Sequence, residues 1–476
     1  MSLKVSVVVP VFNPGPFLDE CVNSLLRQSM PQQEFEVVFV NDGSTDGSEE
    51  RLEELCRTQP TFSVIHQANS GGPGQPRNVG AQQAQGEYIV FLDSDDWLGD
   101  EALERMYDFA TANNADVLAG RLVGKKRAVP RVLFQENRPQ ARLDTAPLID
   151  SLTAHKMLRR EFLIATGLRF PEGRRTLVSH PFVAGAYLLA GNVAVLSDYI
   201  CFYLSPPSTT GGFESFSTEE FFQSLDESFS VVERNTAPGE LRDKLFRRWL
   251  RVEMVERMRG QRLLKQLTPQ RDAMLEWMRS TIASRFSPAV ISGLQPAQQI
   301  IASLLVGGLT EDLLAFAQWE SGLRVHSTID RMEWAEGKVR LEVSAELRVG
   351  EQPLLLRKVG GADVLEAPLS DAAKEIIAKV GADTRVKVKK AKLEIALRNR
   401  KSSAEISVPV EATPERIQVA VQSGTGSMFS DRFRVVLHGS ATVSPEAAVG
   451  LGTWDPNARI RFAGWNKAAR MGGTAR

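Results

Sequence analysis

Cysteine is scarce: Cys21, Cys56 and Cys201 are the only three in 476 residues. An odd, scattered set builds neither a disulfide framework nor a zinc cluster, so a reducing cytoplasm is the expected compartment. Net charge is scarce as well. With 57 basic against 58 acidic side chains the balance is -1, which offers no global field for nucleic acid, and no such partner is expected. Long apolar runs are missing. A spanning helix needs roughly 20 apolar residues, and the longest candidate, Ala184–Leu204, is broken by Gly191, Asn192 and Asp198. No basic and then apolar leader precedes the strand-like Lys4–Val11. The expectation is a soluble chain with at most peripheral contact to the inner face of a membrane. What is present is apolar material at 43%, enough for the cores of two to four domains at this length.

Val5–Val11 is a β-branched run suited to a parallel strand buried on both faces. Phe35–Val40, Phe62–His66 and Tyr88–Leu92 repeat that character, and helical patterns lie between them at Phe17–Gln28, Asp46–Arg57 and Arg77–Gln85. Such alternation predicts an α/β domain over 1–216 with a mostly parallel, Rossmann-like sheet, whose ligands collect beyond the carboxyl ends of the strands. Residues 217–321 carry helical spacing, as in Leu241, Leu245, Trp249 and Val252. From 322 to 445 the period switches to two, as in Val339, Leu341, Val343, Ala345 and Leu347, predicting a β-sandwich of roughly immunoglobulin size. The run Arg385–Lys392 reads as a strand whose lysines guard a solvated edge or guide an anionic polymer. Residues 446–476 lack periodicity and are expected to form a loosely held tail.

The polar clusters fall at predicted strand ends. Asp93-Ser94-Asp95-Asp96 follows an apolar strand, and two carboxylates one residue apart can share a hard divalent cation that neutralises phosphate oxygens. In Asn41-Asp42-Gly43-Ser44-Thr45-Asp46 a carboxylate can accept a base N–H, while Asp46 suits a helix N-cap. The glycine-rich Asn69–Asn78 permits close backbone approach, and Arg77 at a helix start suits a phosphate or carboxylate.

Together with Val7-Val8-Val9-Pro10-Val11-Phe12-Asn13, these motifs, in this order and spacing, resemble the family 2 glycosyltransferases of GT-A fold. Asn69–Asn78, Tyr88–Trp97, Phe170-Pro171-Glu172 and Val195-Leu196-Ser197-Asp198 look most like the wall-teichoic-acid (polyribitol-phosphate) β-N-acetylglucosaminyltransferases. The resemblance is strong over roughly residues 3–200, looser through the helices and only architectural in the β domain. It implies that Pro10 and Phe12 border the nucleoside, that Asp42 and Asn69 hydrogen-bond uracil with Arg77 near it, and that Asp93 lies by the ribose and metal. Asp95 would ligate Mn2+ or Mg2+, and Asp96 would approach the donor sugar. The implied chemistry is inverting transfer from a UDP-sugar, with UDP-GlcNAc favoured, to an anionic or polyol cell-envelope acceptor. Lys156, Arg159 and Arg160 lie in the segment expected to face that acceptor. The immunoglobulin-like modules of such enzymes imply a homo-oligomer, with a trimer as one form.

Two departures from that pattern stand out. The Glu-Asp pair that supplies the general base falls on Val178-Ser179, neither of which can act as one. His180 follows, and its ordinary pKa of about 6.5 suits proton abstraction if it points inward; otherwise it packs beside Pro181 and Phe182. The basic, often histidine-containing segment that closes on the diphosphate reads Ser205–Gly212, without Lys, Arg or His, leaving Arg174 and Arg175 as substitutes or as exposed loop residues. The expectation is a metal-dependent glycosyltransferase. Its rivals are a non-catalytic nucleotide-sugar-binding scaffold and altered chemistry on the same fold.

Overall fold

A computed structural model of the chain describes residues 3–125, 127–173, 176–206, 218–401, 405–423, 426–444 and 453–472. Two compact units divide it, Met1–Arg248 and Trp249–Arg476. Arg174 and Arg175, most of the Ser205–Gly212 segment and the ends of the expected tail lie outside the described residues.

The first unit is built on a nine-stranded sheet. Strands β1 (Val5–Val11), β2 (Phe35–Asn41), β3 (Phe62–His66) and β4 (Tyr88–Phe91) alternate with helices α1 (Phe17–Leu26), α2 (Ser48–Thr58) and α3 (Gly74–Gln83). They pair in parallel in the order β3-β2-β1-β4. Every residue of β1 is buried, as a β-branched run covered on both faces requires. Beyond β4 the sheet continues through β8 (Met157–Arg159), β6 (Val117–Gly124) and β9 (Val193–Leu204), with β5 (Trp97–Leu98) on its far edge and β7 (Arg138–Ala141) beside β9. Helices α4 (Ala102–Ala112), α5 (Arg160–Thr166), α6 (Ser179–Leu189) and α7 (Thr218–Asn235) complete the unit, with most of α8 (Glu240–Trp249). Because β1 to β4 are parallel, the loops that follow them all open on one edge.

The second unit begins with helices up to Thr310–Ser321 and ends in antiparallel sheets of seven and four strands. Leu347, Leu356 and Leu437 of one sheet meet Ile460 and Phe462 of the other, so the two pack as a sandwich. Two expectations are corrected here. Arg385–Lys389 is a short helix, because the Asp383 carboxylate accepts the Arg385 backbone N–H and Val388 alone turns inward while Val386 is exposed. The tail is not loose: Trp454–Phe462 and Trp465–Arg470 form a hairpin in the four-stranded sheet. Its turn, Ala463-Gly464, has φ of 51° and 101°, as a two-residue hairpin of the right twist demands. No helix among the described residues is long and apolar enough to cross a membrane.

Candidate active site

Asp42 and Asn69 leave the carboxyl ends of β2 and β3 and tie their loops together. The Asp42 carboxylate is nearly buried and accepts from the Gln67 amide (2.5 Å), the Ser70 backbone N–H (3.1 Å) and the Ser70 hydroxyl (2.9 Å). The Asn69 amide donates to the Asp42 carbonyl (3.1 Å), and its oxygen accepts from Gly71 N (2.9 Å). Gly43 allows this crossing: at φ 75°, an added Cβ would lie 2.9 Å from Asn69 N. Pro10 is buried within β1, and Phe12, half-buried, follows it into the same edge.

The acidic motif follows β4. Arg77, in the first turn of α3, donates to Asp93 Oδ1 (2.5 Å) and to the Ser179 hydroxyl (3.4 Å), and lies over the Phe170 ring at 5.2 Å. Its charge is thus paired with Asp93 at the rim of the cleft. Burial opposes ionisation of Asp93, but Arg77 and His155 outweigh it and hold the carboxyl below the usual range. Asp95 goes the other way. Burial, with the charges of Asp96 and Asp93, pushes it up to about 6, and Ser205 Oγ donates to it at 3.2 Å. Asp96 is fully buried and accepts from Ser205 N (2.8 Å), so it does not face a sugar as expected.

His155 was not singled out from the sequence. It precedes β8, which runs antiparallel to β4, so the chain direction returns it to the edge that carries Asp93. It is 1% exposed and packs edge-on to Phe202. Its Nε2 is 2.8 Å from Asp96 Oδ2 and 3.8 Å from Asp93 Oδ2. The ring N–H directions miss these oxygens, leaving both His155 nitrogens and Asp96 Oδ2 buried without a hydrogen bond. Orphaned buried nitrogen and oxygen atoms converging on one point fit a divalent ion.

The acceptor residues expected from the sequence are corrected. Lys156 is 1% exposed, and its ammonium donates to Ser151 Oγ, Thr153 O and His155 O, while burial lowers its pKa to about 7. Arg159 pairs in register with Tyr88, at the start of β4, where it bonds Asn114 and faces Asp116. Arg160 donates to the Gly86 carbonyl. One lies inside the core and the others at the opposite edge of the sheet.

The opposite wall is the start of α6. Asn78 exchanges hydrogen bonds with Phe170 and holds Glu172 (2.8 Å), and a Cβ on Gly74 would strike Pro171 O at 1.8 Å, so α3 packs tightly on this segment. Leu177 enters the helix at φ 49°, a left-handed conformation that costs a non-glycine residue about 1–3 kcal/mol. Val178 is buried, and no acidic residue occupies the first turn of α6. His180 is half-buried; desolvation and the Arg248 charge lower its pKa well below 6.5, so its imidazole is neutral at pH 7. A cleft of about 310 Å3 joins the two walls, lined among others by Arg77, Asp93, Arg127, His155, Ser179 and His180. Across the cleft, an acidic wall that could hold a cation faces a neutral imidazole.

Comparison with known proteins agrees. The model of glycosyl transferase family 2 matches residues 6–166, and that of the glycosyl transferase TarS linker domain matches 218–317. The chain is 37% identical over 204 residues to the poly(ribitol-phosphate) beta-glucosyltransferase of Bacillus spizizenii, a match covering 42% of this chain and 32% of that one. It is 32% identical over 224 residues to the glycosyltransferase GlyG of Streptococcus pneumoniae, covering 43% of this chain and 71% of GlyG. Among solved structures, residues 1–349 of S. aureus TarS in complex with UDP-GlcNAc superpose with a TM-score of 0.61 at 25% identity, covering 74% of this chain and 98% of that one. The chain belongs to glycosyl transferase family 2. It matches only about a third of the length of the poly(ribitol-phosphate) relative.

Proposed function

We propose that this protein transfers a sugar, GlcNAc by preference, from a UDP-sugar to a hydroxyl of a polyol or anionic cell-envelope polymer, with inversion and with Mn2+ or Mg2+. The observation that carries this reading is the single cleft holding Asp93, Arg77 and His180. Bound at the acidic motif, a divalent ion would neutralise the departing diphosphate. Asp42 and Asn69, at the ends of β2 and β3, are the base-side loops, and Pro10 and Phe12 border the nucleoside. Arg77 keeps Asp93 ionised. Neutral His180 takes the acceptor proton as the oxygen attacks the anomeric carbon and the bond to UDP breaks. The sandwich of the second unit is the element that would assemble copies, and the reaction would take place at the inner face of the membrane. UDP release from UDP-GlcNAc and UDP-glucose, with and without Mn2+ and with poly(ribitol phosphate) as acceptor, tests the reading; no metal-stimulated release with either donor rejects it.

A second reading rests on Val178 and Ser179. With no carboxylate in the first turn of α6, the chain would bind nucleotide sugar without transferring it. UDP binding by calorimetry with no turnover, and turnover gained by Val178→Glu with Ser179→Asp, would select it.

A further inference from the structure

We infer that the loop after β6 docks this protein on an anionic lipid bilayer, with Lys125 and Arg131 among the headgroups and Val132 at the acyl boundary, so that the cleft opens beside the membrane surface. The inference rests on the proposed placement of the reaction at the inner face of a membrane and deepens it by naming the surface that holds the protein there.

Three observations converge. The first is charge. Residues 125–134 carry four basic and no acidic side chains, in a chain whose net charge is -1. Lys125 and Arg131 are exposed and, among the described residues, neither has a carboxylate partner. Arg138, at the far end of the loop, differs: it pairs with Glu136 at 2.7 Å. Each basic side chain near an anionic bilayer strengthens binding by about 5-fold. The second is the apolar tip. Backbone bonds from Leu133 N to Pro130 O (3.2 Å) and from Phe134 N to Arg131 O (3.3 Å) form the turn. Leu133 and Phe134 are buried beneath it, which leaves Val132 61% exposed beside Arg131. An outward aliphatic side chain next to a cation suits the boundary between headgroups and acyl chains. A soluble polyol phosphate would meet the cations but offer the valine nothing to bury against. The third is the platform at the start of the loop. Trp97 and Tyr203, paired across β5 and β9, are half-buried and stack with centroids 5.5 Å apart and planes 5° apart. The Lys125 ammonium lies 4.3 Å from the Trp97 ring centroid. Rings with an apolar body and a polar tip favour such an interface. Lys125 N donates to Leu204 O (2.9 Å), Ser205 beyond it holds Asp95 and Asp96, and Arg127 lines the cleft, so the docking loop starts at the acidic wall.

The test is co-sedimentation of the full chain with vesicles of phosphatidylcholine alone and of phosphatidylcholine with an equal part of phosphatidylglycerol. Wild type should bind the anionic vesicles, ignore the neutral ones, and detach at about 1 M salt, where the screening length falls to about 3 Å. Lys125→Gln with Arg131→Gln should weaken binding by about 30-fold, the product of two such contributions. Val132→Gln should weaken it by about 3-fold. Val132→Trp should bind more tightly than wild type and add a tryptophan emission that shifts to the blue on anionic vesicles. UDP affinity by calorimetry should be the same in every variant, which shows that each is folded. Equal binding to both vesicle types, binding kept in the double variant, or an unshifted Val132→Trp spectrum overturns the inference. So does loss of soluble poly(ribitol phosphate) binding in the double variant with vesicle binding kept, which would assign the loop to the polymer. Vesicle binding is read without turnover, so a protein that docks but transfers no sugar rejects the transferase reading alone, and one that transfers to soluble acceptor without docking rejects this inference alone.

Discussion

The two walls of the cleft are tied down to different degrees. On the acidic side, each carboxylate accepts a hydrogen bond from another element: Asp93 from Arg77 of α3, Asp95 from the Ser205 hydroxyl and Asp96 from the Ser205 backbone N–H, both after β9. On the α6 side, the approach is an apolar Val178 and a left-handed Leu177, with Ser179 reached by Arg77 at 3.4 Å. Charge packed this closely has to be organised by the fold, because unpaired buried carboxylates cost several kcal/mol each. A proton acceptor needs only one well-placed imidazole. The acidic wall is therefore the part of the site whose loss propagates, and the α6 wall the part that can change chemistry without disturbing the fold.

Asp93→Asn strikes the first wall hardest. Among the described residues, it removes the one acidic side chain that faces Arg77, His155 and the cleft together. We expect kcat/KM for UDP-sugar turnover to fall by about 10³-fold or more, equivalent to about 4 kcal/mol. A loss below 10-fold would remove Asp93 from the centre of the reaction.

His180→Ala probes the other wall. A general base contributes about 10²–10⁴-fold, so kcat should drop within that range while UDP affinity stays within about 2-fold. The pH profile sharpens the point. The pKa of His180 is lowered by burial and by Arg248, so its imidazole stays unprotonated as pH falls through 6.5. The wild-type kcat should be flat from pH 8 to 6.5; a half-loss centred on 6.5 would mean the imidazole titrates as if in water.

Much of the first wall was legible in the sequence. Asp42, Asn69 and Asp93 follow strands whose β-branched character marks them as parallel and buried, and parallel strands deliver their ends to one edge. His155 was not legible, because it lies 59 residues beyond Asp96 in a stretch with no glycine-rich or acidic neighbourhood. Only the antiparallel return of β8 brings it back. Lys156, Arg159 and Arg160 were misread for the same reason: charge in a sequence marks neither burial nor the end of a strand. In the second unit, Asp455-Pro456-Asn457 and interleaved arginines masked the alternation of Ala458, Ile460 and Phe462, which the sheet shows as buried.

Asp95→Asn tests the cost of packed charge directly. In the folded chain Asp95 keeps its proton up to about 6; unfolded, it releases it near the ordinary value of about 3.9. Folding therefore takes up a proton between these values, and the stability tied to Asp95 is full below about 4 and lost as pH rises through 6. Removing the charge should stabilise the metal-free protein at pH 7.5 by about 2 kcal/mol, or about 5 °C in Tm. The advantage should vanish by pH 4. Equal melting at pH 7.5 would show that the acidic wall carries no such penalty.

Arg159→Met should do least, and it separates the two edges of the sheet. Arg159 pairs with Tyr88, and at about 3.3 Å per residue the Asp93 end of that chain segment is about 17 Å away. Its guanidinium is spent on Asn114 and Asp116, with Tyr88 beneath it at 5.1 Å. A substitution there removes a partly buried pair, costing about 1 kcal/mol or more of stability, without touching the cleft. The acceptor KM of the folded variant should stay within about 2-fold of wild type. A 10-fold rise with unchanged donor KM would mean that the acceptor runs along the far edge of the sheet, away from both walls, and the cleft would then hold the donor alone.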